Sequence, residues 1–296
     1  MPYCQYVRFV LYCSKEIMNT IEKFFWTIHS WIISPTPEPF GVFHLVTVAA
    51  IVALSLVLCL FFANAKKKTF RTIILTIWAI MLLFEIVKIV AFSVYEAEDG
   101  SAVWEPIWNM IPLQLCSTPL YTLPLIALLK DGKVRDAFVA FTATFTMFGG
   151  IAVMVYPFTV FSQRLFLCIQ TMEHHGLQIV SSVYLVAYFR KRFSFRFFLR
   201  ALPVFYGFVA IVLAYNFLTP LVTDQPINMF FMSPYHADEV FIVKDLVKVI
   251  PWGVILAVFL LLFPVVAVSP VFFAEWGIIK LAEKGKKRSP SDQITH

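Results

Sequence analysis

Cysteine, histidine and carboxylate side chains inside apolar stretches are the residues of this sequence best suited to chemistry. Cys116 lies in WNMIPLQLCSTPLYTLP, and the pair His174–His175 lies in LCIQTMEHHGLQIVSS. Glu85 lies in a third apolar stretch. A thiol, an imidazole and a carboxylate are the groups needed for acyl transfer, in which histidine takes the thiol proton and the thiolate attacks an ester carbonyl.

The stretch around Cys116 contains Pro112, Pro119 and Pro124. A proline inside a helix lacks an N–H and displaces the carbonyl four residues earlier, so we expect a kinked helix in which the Leu115 carbonyl is freed. An ordinary packing helix with an inert thiol is the alternative, because buried cysteine commonly behaves as a small hydrophobe.

Helical spacing also groups the polar residues of this stretch. Asn109 and Cys116 are seven residues apart and would share one face, whereas Gln114 and Tyr121 would share another. Glu85 and Lys88 are one turn apart in the second apolar stretch and can pair with each other. Glu85 could instead orient a histidine from another helix, as carboxylates do in catalytic triads.

The histidines belong to a stripe of polar residues with spacings of three and four. The stripe contains Thr171, His174, His175, Gln178, Ser181 and Ser182. Such a stripe must face a cavity or protein partners rather than lipid, and a structural hydrogen-bond seam is the alternative to a catalytic site. Glu173 and the histidines are suitable zinc ligands. Adjacent histidines point about 100° apart on a helix, however, so we expect neither a metal nor a cofactor.

The elements that must position these residues are membrane helices. Apolar and aromatic residues make up 60% of the 296 residues and charged residues only 14%, against about 25% charged in a soluble domain. Apolar residues come in blocks of about twenty, the length needed to cross a bilayer. The sequence predicts an all-α membrane bundle with about seven spans, at 41–63, 70–95, 107–129, 134–156, 165–189, 197–220 and 251–276.

The basic residues lie in alternate connections, which predicts the topology. They are Lys66–Lys68 with Arg71, Lys130 with Lys133 and Arg135, the group Arg190–Arg192 with Arg196 and Arg200, and Lys280–Arg288. The positive-inside rule then predicts an N-terminus outside and a C-terminus in the cytoplasm. Because the +6 net charge lies in these loops, it does not indicate a nucleic-acid partner.

Three parts of the chain are expected. Residues 1–39 form an amphipathic interfacial helix and a proline-rich hinge, 40–279 the seven-helix domain and 280–296 a basic cytoplasmic tail. Five scattered cysteines without a CxxC argue against a disulfide framework or a zinc module. The irregular stretch at 221–250 is expected to cap the outer face.

An ordered set of short motifs resembles the transmembrane protein 164 / YwaF-like family of multi-pass membrane proteins. The set covers about 40–260 and consists of His44, Glu85, Pro112-Leu113-Gln114-Leu115-Cys116, His175-Gly176, Asn228-Met229-Phe230 and Pro251-Trp252. The familiar form of the motif at Asn228 has an aromatic residue between Asn and Met, which is absent here.

The resemblance implies an acyltransferase. A eukaryotic member of that family looks like an enzyme that moves polyunsaturated acyl chains onto lyso-ether phospholipids, with the motif cysteine as nucleophile and a histidine partner. Carried over, Cys116 is the nucleophile, His175 the base and His174 its stand-in. The residues expected to orient the base or bind substrate are Glu85, Asn109, Gln114, Gln178, His44 and Asn228.

The sequence therefore favours a membrane lipid acyltransferase or acyl-ester hydrolase that acts on phospholipid or lysophospholipid substrates. A related family of small membrane hydrolases of fatty-acid esters uses Thr and His. Two other classes stay open: a seven-helix receptor or sensor, and a transporter with Glu85, Lys88 and the histidines as a proton relay. The receptor motifs DRY and NPxxY and the inverted repeats of many transporters are absent from the sequence.

Overall fold

A computed structural model describes residues 18–225, 227–235 and 243–287. It is helical apart from one small hairpin, as predicted. The helices are α1 Thr20–Ser30, α2 Val42–Phe62, α3 Lys67–Phe92, α4 Pro119–Leu128, α5 Lys133–Phe141, α6 Met147–Val155, α7 Leu165–Phe189, α8 Phe195–Leu199, α9 Ala201–Leu218, α10 Val243–Leu246, α11 Trp252–Leu262 and α12 Ser269–Lys287. The hairpin pairs β1 Val94–Glu96 with β2 Ala102–Trp104 in antiparallel register.

Five helical segments within these described ranges are long and apolar enough to cross a membrane. They are Val42–Phe62, Lys67–Phe92, Lys133–Val155, Phe195–Leu221 and Trp252–Lys284. Of the two remaining predicted spans, α4 has only 10 residues, and α7 has 25 residues but contains the polar stripe. The chain is therefore a multi-pass membrane bundle, and seven crossings stay a prediction.

The predicted third span is wrong as a continuous helix. Residues 107–118 form two short 3-10 turns, Trp108–Met110 and Leu115–Ser117, and the α-helix begins at Pro119. A proline fits the first turn of a helix, where its missing N–H has no partner to lose. Pro119 therefore starts α4 instead of kinking a longer helix. The shared face expected for Asn109 and Cys116 does not exist, and Asn109 is exposed.

Three basic connections meet at one end of the bundle, as alternate crossings require. Lys67 pairs with Asp131 at 3.0 Å, and Arg192 pairs with Asp136 at 3.0 Å. Arg190 donates to Asn64, which lies in the turn between α2 and α3. These contacts join the α2–α3, α4–α5 and α7–α8 connections, which are the ones expected on the cytoplasmic side.

The opposite end is closed by α1, the hairpin and the chain before α7. Asn19 and Glu22 form a capping box at the start of α1. The buried His29 ring donates from Nδ1 to the Val94 carbonyl at 3.0 Å and packs on Phe92. Burial lowers the pKa of His29, so the neutral ring is favoured there. Residues 1–17 of the expected interfacial segment and 288–296 of the tail lie outside the described residues.

Helix α7 is the centre of the bundle and is packed on its neighbours through two glycines. A Cβ at Gly176 would lie 2.9 Å from Ile51 Cδ1 of α2. A Cβ at Gly150 of α6 would lie 2.9 Å from Ile179 Cγ1 and 3.0 Å from the His175 carbonyl oxygen. Both distances are shorter than ordinary contacts, so these glycines allow α2 and α6 to lie close to α7.

Gly150→Ala is expected to destabilise the protein by about 1–3 kcal/mol, the usual range for overpacking. The added methyl group meets backbone at His175, which cannot rotate away. Gly149→Ala is the matched control, because a Cβ there has open space around it and alanine favours a helix over glycine. Thermal unfolding of both variants in detergent measures the difference. Equal melting temperatures would contradict the close packing of α6 on α7.

A π-helical turn at Thr142–Thr146 separates α5 from α6 and faces α7. The Thr142 carbonyl accepts from Ser182 Oγ at 2.8 Å and from Thr146 Oγ1 at 2.5 Å. Thr142 Oγ1 donates to Thr122 Oγ1 at 2.7 Å. A π turn interrupts the regular backbone ladder, and hydroxyl groups satisfy the carbonyl it frees. The part of the α7 polar stripe at Ser182 is therefore a structural hydrogen-bond seam.

Candidate functional site

Cys116 lies in the 3-10 turn just before α4, and its backbone faces α7. The Cys116 carbonyl accepts from His174 Nε2 at 3.0 Å and also from Gln178 Nε2. Pro119 has no N–H to donate to this carbonyl three residues earlier. The carbonyl expected to be free was that of Leu115, but Leu115 accepts from Thr118 Oγ1 at 2.7 Å. The carbonyl that binds α7 is that of Cys116.

The hydrogen bonds of the two histidines fix different ring tautomers. A carbonyl only accepts, so His174 carries its proton on Nε2 and its lone pair on Nδ1. His175 Nδ1 bonds the Thr171 carbonyl at 2.8 Å, so its lone pair is on Nε2. No described residue donates to His175 Nε2. His174 therefore holds the backbone of Cys116, and His175 has a nitrogen available as a base.

Several acceptors in this region lack a donor. Nδ1 of His174 and Oε1 of Gln178 are buried without a hydrogen-bond partner among the residues described. Both carboxylate oxygens of Glu173 are likewise buried and unpartnered within that part of the chain. Unsatisfied buried acceptors cost free energy unless a ligand or water supplies a donor. A bound molecule with hydroxyl groups would supply such donors.

Glu85 is the centre of a polar cluster that contains Lys88 and Gln170. Lys88 Nζ lies 2.6 Å from one Glu85 oxygen, and Gln170 Nε2 donates to the other at 3.0 Å. The pairing with Lys88 agrees with the sequence spacing. Glu85 does not hydrogen-bond a histidine, so it orients α7 through Gln170.

Gln114 and Asn228 hydrogen-bond within a turn of the backbone and do not hydrogen-bond the Cys116 thiol. Gln114 Nε2 donates to the Asn228 carbonyl at 3.0 Å, and its Oε1 accepts from Phe230 N at 2.9 Å. Asn216 bonds both the N–H and the carbonyl of Met229, at 2.9 and 3.0 Å. Phe230 has a φ of 55° and Phe231 a φ of 56°, which non-glycine residues rarely adopt. The side-chain amides hold this strained turn against the segment that carries Cys116.

His44 lies at the first turn of α2 and is buried. Its Nδ1 accepts from Phe40 N at 3.1 Å, which places the proton on Nε2. That Nε2 is buried without a partner in the described part of the chain, and the ring packs on Phe161. His44 bonds neither Cys116 nor the histidine pair.

Three contributors to the site escaped the sequence analysis: Gln170, Ser117 and Asn216. Gln170 lies four residues before His174 and continues the polar stripe, so helical spacing could have identified it. Ser117 follows Cys116 and is buried. Asn216 was a polar residue inside an apolar span, the same signal that marked Glu85. No group of three His, Cys, Asp or Glu side chains within the described ranges could hold a metal ion.

The chain matches the model of a known protein family. The model described as the TMEM164 family matches residues 39–269, which include all the site residues above. Comparison with curated proteins and with solved structures gives no match.

Proposed function

Because the chain belongs to the TMEM164 family, we propose that it is a membrane acyltransferase that moves acyl chains between phospholipids through a thioester on Cys116. The observation that carries this proposal is the double contact of His174 and Gln178 with the Cys116 carbonyl. The contact joins Cys116 to the polar stripe of α7. Of the three cysteines described, Cys116 is the one whose backbone bonds a histidine. Pro119 leaves this carbonyl without a backbone donor, and His174 and Gln178 supply the missing hydrogen bonds, which holds the cysteine beside the histidine pair.

The residues support separate roles for the two histidines. His175 Nε2 would take the thiol proton of Cys116, because the bond from Nδ1 to Thr171 leaves Nε2 with the lone pair. His174 and Gln178 would be positioning residues that hold the backbone of the nucleophile. Glu85, Lys88 and Gln170 would fix α3 against α7.

The proposed reaction has two balanced steps. In the first, the thiolate attacks the ester carbonyl carbon of a phospholipid, the carbon–oxygen ester bond breaks, and the imidazolium returns its proton to the departing alkoxide. A lysophospholipid leaves and a thioester remains on Cys116. In the second, the hydroxyl of an acceptor lysophospholipid gives its proton to His175 and attacks the thioester, which regenerates the thiolate.

Hydrolysis differs from transfer only in the acceptor of the second step. Water would take the place of the lipid hydroxyl and release a fatty acid. His174 Nδ1 and Gln178 Oε1 would accept hydrogen bonds from the acceptor lipid.

A thioester on Cys116 is the expected result when purified protein meets a phospholipid with an isotope-labelled acyl chain. Rapid acid quenching and peptide mass spectrometry should find the label on the peptide containing Cys116, and neutral hydroxylamine should remove it. The matched control is Cys59→Ala, which removes another partly buried thiol and should keep the label. Label on Cys59 or Cys168 alone, or label that survives hydroxylamine, would refute the assignment.

A further inference from the structure

A polar cavity lies at the basic end of the bundle, away from Cys116. Its volume is about 350 Å³. Five cationic side chains and one carboxylate line it, namely Lys67, Arg135, Arg190, Lys191, Arg192 and Asp131. Three connections of the bundle supply these residues, so folding gathers them from distant parts of the sequence. We call this the cationic pocket.

Arg135 is the buried centre of the cationic pocket. Its side chain is 3% exposed, and its guanidinium packs over the Phe70 and Phe189 rings at 5.3 and 5.2 Å. Nε donates to the Ile126 carbonyl at 2.7 Å and Nη1 bonds Asp131. Nη2 is buried without a partner among the described residues. A buried guanidinium with one unused donor face is suited to an anion, phosphate above all.

An apolar cleft adjoins the cationic pocket. It has a volume of about 580 Å³ and lies between α2, α7 and α12. Ala63, Asn64 and Arg190 line both spaces, so the cleft and the pocket are adjacent. The cleft walls are mostly aliphatic, from residues such as Leu60, Val183 and Ile279.

The linings of the two spaces fix the direction in which an amphiphile could lie. Glu275 is buried in the wall of the cleft, without a hydrogen-bond partner in the ranges described, and Glu283 lies further along α12. The mostly aliphatic walls of the cleft suit an alkyl chain and not an anionic group, whereas the pocket has four more cations than anions from the six charged residues above. A phosphate therefore belongs in the pocket and an alkyl chain in the cleft.

We propose that the cationic pocket and the apolar cleft together form a lipid-binding site for an anionic phospholipid, separate from the Cys116 site. The lipid phosphate lies against Arg135, Lys67 and Lys191, and one acyl chain lies between α2, α7 and α12. Basic clusters at membrane surfaces attract anionic lipids in this way. The expected topology puts this end at the cytoplasmic leaflet, where such lipids are concentrated.

Binding of dioleoyl phosphatidic acid to the full-length protein in detergent tests the site. Native mass spectrometry measures the affinity, with dioleoyl phosphatidylcholine as the zwitterionic lipid and inorganic phosphate as the soluble anion. Lys67→Gln with Lys191→Gln should weaken phosphatidic acid binding about tenfold or more. Each basic side chain near an anionic lipid strengthens binding severalfold, and the double variant removes two of them. Both side chains are at the surface, so folding should be unchanged.

The matched control is Lys68→Gln with Lys130→Gln, which removes two cations from the same end but outside the pocket. It should change the affinity less than about twofold. Ala187→Phe, which narrows the cleft, should weaken the binding of phosphatidic acid and leave the binding of inorganic phosphate unchanged. Equal losses in the two double variants, equal binding of both lipids, or phosphate binding as tight as that of phosphatidic acid would each overturn the proposal.

Discussion

Cys116→Ala is expected to remove acyl transfer, by at least about a thousandfold, because the covalent intermediate cannot form without the thiol. The protein should still fold. Cys116 is only partly buried, and its contacts with α7 are made by the backbone carbonyl, which alanine retains. Cys116→Ser should be nearly as inactive, since a hydroxyl is far less acidic than a thiol.

A lipid-exchange assay on purified protein, with labelled donor and lysophospholipid acceptor, measures this loss. Thermal unfolding of the same samples is the folding control, and Cys59→Ala is the matched substitution, expected to keep both activity and melting temperature. A well-folded Cys116→Ala protein with full activity would reject the mechanism. Loss of stability in step with loss of activity would instead identify Cys116 as a packing residue.

The two histidines are expected to respond differently to substitution. His175→Ala should lower the rate of acyl transfer as much as Cys116→Ala, and the double variant should be little worse than either single one, because residues acting as one unit are not additive. His174→Ala should lower the rate by about a hundredfold, the usual effect of a misplaced nucleophile. It should also cost about 1–3 kcal/mol of stability, because the bond to the Cys116 carbonyl is buried.

The same exchange assay and denaturation curves separate these outcomes. Gln178→Ala is the matched variant for His174→Ala, because its side chain donates to the same carbonyl. The rate of acyl transfer and the stability of Gln178→Ala should both fall, and the ratio of the two losses should match that of His174→Ala. If His174→Ala were inactive and fully stable while His175→Ala kept its activity, the roles of the two histidines would be exchanged.

The sequence predicted the long helices well, because a continuous apolar run of the right length has few other structures available in a membrane. It also predicted the pairing of Glu85 with Lys88, which needs only helical spacing. It failed for residues 107–118. Proline was read as a kink within a helix, but the same residue is equally suited to begin one, and only the tertiary contacts of the Cys116 carbonyl decide between the two.

Contacts between segments that are distant in the sequence could not be predicted either. Gln114 and Asn228 are expected from the sequence to orient the base or bind substrate, but no spacing rule joins residues 114 positions apart. Their bond holds the strained turn at Phe230 in place, a role that needs the turn geometry to be known. The contacts of the Cys116 carbonyl with His174 and Gln178 depend on a missing N–H and could be expected only once Pro119 is known to start α4.

The irregular segment before α4 also has a consequence for biosynthesis. Non-helical backbone at membrane depth is tolerated only where protein covers it, and residues 107–118 receive their cover from α7, through His174, and from the turn at Met229. Both are translated later. With only 10 residues in α4, the crossing predicted at 107–129 would not be self-sufficient when it leaves the ribosome. It would be completed after insertion, when the second half of the chain has arrived, so substitutions at Gln114 or Asn216 should show first as rapid degradation of newly made protein.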